Sequence, residues 1–347
     1  MRIRFAVLAC SFLLASALGT MSAAMAAEVA LPVANFKPKA QNKIVPPGCV
    51  LRSVWMEGEF TEGPVPAANG TILFSDIGNR ILRFGTTSET TTLFRNPSGK
   101  SNGLKFNPQG ELVACEGAGP GGGRRISITD LQGKVRTLAD KFEGKRFNSP
   151  NDLAIATNGN IYFTDPRYLG DEPRELDFEG VFLVEPSGNV KLATRDVEKP
   201  NGIIVTPDGK TVYVADNNSD PKGAHTLLVF DVQADGTLAN KRILFDFGPN
   251  KRGIDGMTLD AKGNIYATAG EGSEGGVYVF DSQGVPMAFL HTPGVPTNCT
   301  FGIGKFANRL FITSAGLPAP TGKIQLYGLS CCDLLIPGYH IFPKATP

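Results

Sequence analysis

Six polar residues recur along this 347-residue chain at the head of similar phrases: Glu62, Asn102, Asn151, Asn201, Asp255 and Asn298, spaced 40 to 54 residues apart. They are two carboxylates and four amides, with no thiolate or imidazole among them. Donors offering only oxygen suit a hard divalent cation, calcium or magnesium before manganese. The two formal negative charges balance such an ion; without one, crowded carboxylates push a neighbour toward protonation. An ion held this way polarises a carbonyl and lowers the pKa of water, the needs of a hydrolytic reaction. Asp255 is then the carboxylate placed to take a proton from that water. Any single Asn-Gly or Asp-Gly pair is an ordinary turn signal. The shared register is what sets these apart.

Something must bring six residues so far apart in sequence to one place. Each is followed by a turn and a β-rich run: TILFSD, ELVACE, NIYFTD, TVYVAD, NIYATA and RLFITS. Six units of this length mark an array of propeller blades. The fourth unit shows the grammar of four strands: NGIIVT, a PDGK turn, TVYVADN, TLLVFDV, an ADG turn and KRILFDF. Short runs rich in Val, Ile, Phe and Tyr between Asp-Gly turns read as hairpins, and helical periodicity is absent after the first 26 residues. A blade cannot cover both its faces alone, so neighbours stack and close into a ring. The expected fold is all-β: a six-bladed β-propeller of four-stranded blades with a divalent metal in its central channel. Two stacked β-sandwiches are the alternative, and the regular lead residues argue against them. The propeller spans residues 49–330, with 49–56 as a closing strand that pairs with KIQLYGL and completes the last blade.

The ends of the chain set its compartment. Arg2 and Arg4 precede an apolar run over residues 5–18, and Ala24-Met25-Ala26 fits a small-residue cleavage site. Residues 1–26 therefore read as a signal peptide, with a product that is exported, periplasmic or secreted, and free of the membrane after cleavage. Residues 27–48 form an N-terminal extension and 331–347 a C-terminal tail. With 34 basic against 33 acidic residues, no basic stripe points to nucleic acid. Five cysteines remain after cleavage, and Cys115 and Cys299 sit in strand-like runs as buried thiols. An oxidising compartment would allow a bridge from Cys49 to Cys331 or Cys332.

The segments TEGPV, FNSPNDLAIATNGNIYFTDP, PNGIIVTPDGKTVYVADN, GIDGMTLDAKGNIYATAG and TNCTFG run in order through most of the chain. They resemble the blade motifs of the SMP-30/gluconolactonase/luciferin-regenerating family. The resemblance implies a six-bladed propeller with one catalytic divalent ion, calcium in many members and zinc or manganese in others. It implies Glu62, Asn201 and Asp255 as ligands of that ion, with Asn151 binding the ion or the substrate. The metal set is thus Glu62, Asn151, Asn201 and Asp255, and the implied reaction is hydrolysis of a small-molecule lactone or ester with Asp255 as base. Ser149 and Pro150 stand where the animal branch carries an Arg-x-Asn pattern, so sugar contacts made by that Arg do not transfer.

Substrate contacts are expected from Asn102, Asn151 and Asn298 at the channel mouth. The longest insertion, residues 165–180, adds Arg167 and Tyr168. The glycines of residues 117–122 match G-x-G-x-x-G, but a strand-like RRISITD follows and not the helix a dinucleotide site requires. His225, His291 and His340 share no ligand spacing. Two alternatives keep the same fold: a calcium-dependent phosphotriesterase or arylesterase, and a non-enzymatic ligand-binding propeller with a structural metal.

Overall fold

The computed structural model describes residues 31–292, 294–318 and 325–343. The expected signal peptide, residues 1–26, lies outside them. The chain is a six-bladed β-propeller. The innermost strands are Thr61–Pro66, Ser101–Phe106, Leu153–Ile155, Pro200–Val205, Ile254–Asp260 and Val295–Phe301, one per blade. Each begins an antiparallel sheet built outward in sequence order, as short apolar runs joined by tight turns require.

The sixth blade is closed from the other end of the chain. Its sheet runs Val295–Phe301, Arg309–Pro318, Gln325–Asp333 and then Arg52–Gly58, with Arg52 opposite Cys331 and Gly58 opposite Tyr327. The blades are sealed by six apolar layers, one between each neighbouring pair. Between the second and third blades, for example, Phe147, Phe163 and Phe182 pack with Val113, Cys115 and Ile126. Their ring centroids lie 5.0 to 5.5 Å apart, within the favourable range for aromatic pairs.

Both terminal segments pack onto the propeller body. In the extension, Phe36 packs edge-on against Tyr278 and Phe280 of the fifth blade, and Ile44 and Val45 join the layer between the fifth and sixth. At the other end, the strand assigned to the sixth blade continues to Asp333, beyond the expected boundary at 330. Gly338–Tyr339 then pairs with Leu259 and Asp260, so the fifth blade gains a fifth strand at its inner edge. The following residues, 340–342, lie against Lys105, Ala154, Ile204 and Met257 at the far end of the channel. Apolar Ile336 and Leu334 supply the reason: both are buried and hold the segment to the body. Cys49, Cys331 and Cys332 are free thiols here, so no bridge joins them.

Candidate active site

The near end of the channel, where the innermost strands begin, opens into a cavity of about 660 Å³. Glu62, Asn102, Asn151, Asn201 and Asp255 all line it. The lead residues are fixed by a hydrogen-bond ring that uses their backbones and leaves the side chains for the cavity. The Ser75 hydroxyl donates to the Asn102 carbonyl (2.7 Å), Thr164 to Asn201 (2.7 Å) and Thr268 to Thr297 (2.8 Å). The Gly103 amide donates to the Asn151 carbonyl at 2.8 Å. Each bond joins one blade to the next, so the ring holds neighbouring leads in register.

This ring corrects the sixth lead. Thr297, not Asn298, receives the bond that Asn102 and Asn201 receive, so Thr297 is the counterpart of the other leads. Asn298 stands one residue past the lead position and so lies one step deeper. There it shares a layer with Gly63, Gly103, Asp152, Gly202 and Gly256. A Cβ on Gly256 would overlap the Asn298 side chain, and one on Gly103 would meet Asp152, so those glycines make room for these two side chains. Asn298 Nδ2 approaches Asp152 Oδ2 at 3.5 Å. Asn298 is buried and forms part of the floor, not of the substrate cavity.

The blade-three insertion divides its two candidates. Tyr168 lines the cavity, its hydroxyl donating to the Asn217 carbonyl at 2.7 Å. Burial and then the nearby Asp255 charge push its pKa well up, so the phenol stays protonated. Arg167 turns away. Its Nη1 donates to the carbonyls of Gly170 (3.1 Å) and Glu172 (3.0 Å), and it fastens the loop on itself instead of reaching substrate.

Two further groups beside the leads escaped the repeat pattern. Arg252 Nη2 pairs with Asp255 Oδ2, while its Nη1 donates to the Pro296 carbonyl at 2.9 Å. The only sequence signal was a cation three residues before Asp255. Asp152 is a third buried carboxylate, overlooked because it follows the lead Asn151 directly.

The electrostatics follow from this crowding. Glu62 is 3 % exposed, and burial followed by the Asp255 charge raises its pKa well above the usual carboxylate range. Asp255 is raised by burial to about 6, with Arg252 and a hydrogen bond from Asn201 pulling it back. Asp152 is raised by burial, opposed first by Lys105. A cation would relieve all three. Among the described residues no three His, Cys, Asp or Glu side chains meet at metal-binding distance. The donors on offer are instead two carboxylates with amide oxygens. Asn102 Oδ1 is buried with no hydrogen-bond partner among the described residues, an acceptor left for a ligand. This donor set fits a hard divalent ion.

A family model for the SMP-30/gluconolactonase/LRE-like region matches residues 60–316. A gluconolactonase of Zymomonas mobilis is 30 % identical over 311 residues, covering 82 % of this chain and 83 % of its own. A solved gluconolactonase from Xanthomonas campestris superposes with a TM-score of 0.72 at 28 % identity, covering 86 % of this chain and 94 % of that one. A regucalcin from Agrobacterium tumefaciens, described as a calcium-binding protein, shares the fold with a TM-score of 0.64 at 21 % identity, over 84 % of this chain and 98 % of its own. The match begins two residues before Glu62 and ends within the sixth blade, taking in every lead residue: the chain belongs to the SMP-30/gluconolactonase/LRE-like family.

Proposed function

We propose that this protein hydrolyses lactones in the front cavity, with one divalent cation held by Glu62, Asn151, Asn201 and Asp255. The observation that carries this reading is the convergence of two buried carboxylates and the amide leads on a single cavity. The gluconolactonases among its relatives supply the reaction class. Calcium is the favoured ion, since the donors are oxygen only. When bound there, the cation would polarise the lactone carbonyl and lower the pKa of nearby water.

The protein's own groups do the rest. Asp255 accepts a proton from the attacking water and later returns it to the leaving alkoxide, giving a hydroxy acid. Arg252 favours the ionised form of Asp255 and fixes its rotamer. In the cavity wall, Asn102 offers an unpartnered amide oxygen, and Tyr168, whose proton goes to the Asn217 carbonyl, offers its phenol oxygen as acceptors that orient the substrate's hydroxyls. Phe60, Ile77 and Leu169 supply apolar wall around them and restrict water.

A lactone panel followed by acid release with a pH indicator tests the proposal. Turnover of at least one sugar lactone, lost with chelator and restored by calcium, is the expected result. Turnover confined to aryl esters or phosphotriesters would move the assignment to those substrates, and no turnover with an intact chelator-sensitive fold would leave the metal structural. A second expectation concerns pH. Asp255 must be ionised to act, so kcat/KM falls as pH drops through its pKa. A bound cation pulls that pKa below its cation-free value of about 6. The acid limb should therefore lie at or below pH 6; a limb well above it contradicts the role of Asp255.

A further inference from the structure

Among the described residues, three cations line the front cavity: Lys100, Lys251 and Arg252. Two are already committed. Arg252 is held by Asp255 and by the carbonyls of Gly270 and Pro296. The Lys251 ammonium grips both carboxylate oxygens of Glu274, at 2.7 and 2.9 Å. Lys100 has no ion pair and no side-chain hydrogen bond among the described residues.

Its backbone is also unusual. Lys100 sits at φ 55°, in the left-handed region that a side chain with a Cβ disfavours. The surroundings hold it there. Asn79 Oδ1 accepts the amides of Ser98 (3.0 Å) and Lys100 (3.1 Å), and the Gly117 amide donates to the Lys100 carbonyl at 3.0 Å. The side chain then runs along the glycine turn after the second strand of its blade: a Cβ placed on Gly119 would lie 3.7 Å from Lys100 Cδ and Cε. A strained residue, braced by an Asn side chain and cleared by glycines, thus lines the cavity with no ion partner among the described residues. The cavity's own carboxylates do not use it, because Glu62 accepts the Gly63 amide (3.0 Å) and Asp255 takes Arg252.

We propose that Lys100 binds an anionic substituent of the substrate, so that the preferred lactones carry a carboxylate or a phosphate away from the ring ester. This inference rests on the lactonase reading above. The ammonium pairs with the anion, and the ring ester lies over the lead residues. A neutral sugar lactone offers Lys100 only hydroxyls, and the charge-assisted contact is lost.

The test compares kcat and KM for a neutral probe, glucono-1,5-lactone, with a carboxylate probe, glucaro-1,4-lactone, and a phosphate probe, 6-phosphoglucono-1,5-lactone. Wild type, Lys100→Met and Lys100→Arg are assayed after their melting curves have been matched. The expected result is a wild-type preference for one charged probe. Lys100→Met should raise its KM by about tenfold or more with kcat little changed, an effect at least fivefold smaller on the neutral probe, and Lys100→Arg should recover most of the loss. Which charged probe responds identifies carboxylate or phosphate. Calorimetric titration with the free diacid glucarate should show the same loss of affinity in Lys100→Met. Equal turnover of neutral and charged probes, with Lys100→Met silent or equally harmful to all, overturns the inference and leaves the lactonase reading intact. No turnover of any lactone overturns both.

Discussion

Asp255→Asn is expected to lower kcat/KM for lactone opening by about a hundredfold to ten-thousandfold, the usual worth of a positioned general base. The substitution keeps the shape and one oxygen donor, so the ring of leads should remain. What it removes is the proton acceptor, together with one of the two charges that a divalent ion needs. It also leaves Arg252, half-buried beside Asp255 and the Pro296 carbonyl, without its charged partner. Asp255→Ala should be at least as damaging, since it also deletes the donor. The informative measurement pairs steady-state kinetics with calcium content. Loss of turnover with calcium retained assigns Asp255 as base. Loss of both makes it chiefly a ligand. Full turnover with calcium retained shows the base assignment to be wrong.

The second large effect concerns closure of the ring. Deleting Arg52–Gly58 leaves the edge of Gln325–Asp333 unpaired. It also strips Val54 and Trp55 from the layer that holds Ile72, Phe74, Phe311 and Leu329. Uncovering two large side chains and a strand edge should cost about 5 kcal/mol, and the melting temperature should fall by about 10 °C. A calorimetric scan decides the matter, and an unchanged curve would mean the sixth blade does not depend on this strand. The milder change Trp55→Ala should move the curve in the same direction by a smaller amount. It separates loss of packing from loss of strand pairing.

Much of this architecture can be read from the chain because a propeller repeats its grammar. Glu62, Asn102, Asn151, Asn201 and Asp255 stand at the same point of successive blades, and equivalent points of successive blades face one axis. The sixth blade broke the pattern. Asn298 copied the residue type but stands one residue past the lead position, which Thr297 fills. Residue identity alone cannot detect a shift of one in a strand, yet such a shift moves a side chain to another layer. Loops were harder still. Tyr168 and Arg167 are adjacent, but only Tyr168 reaches the cavity, while Arg167 is consumed by the carbonyls of its own loop. Lys100 and Arg252 came from segments with no repeat to flag them. Their positions depend on Asn79, Gly117 and Pro296, contacts distant in sequence. The pairing of the tail is hard to read for a related reason: Gly338–Tyr339 and Leu259–Asp260 are segments about 80 residues apart.

In the proposed function, one divalent ion at Glu62, Asn151, Asn201 and Asp255 supports lactone hydrolysis. The most direct test is to strip the protein of metal, titrate it with calcium, and follow bound ion and lactone opening in the same samples. Turnover absent at the start, rising in proportion to occupancy and saturating at one ion per chain, is the predicted result, with Glu62→Gln shifting the whole curve to higher calcium. Full lactone turnover by the stripped protein, unchanged as calcium binds, would contradict it.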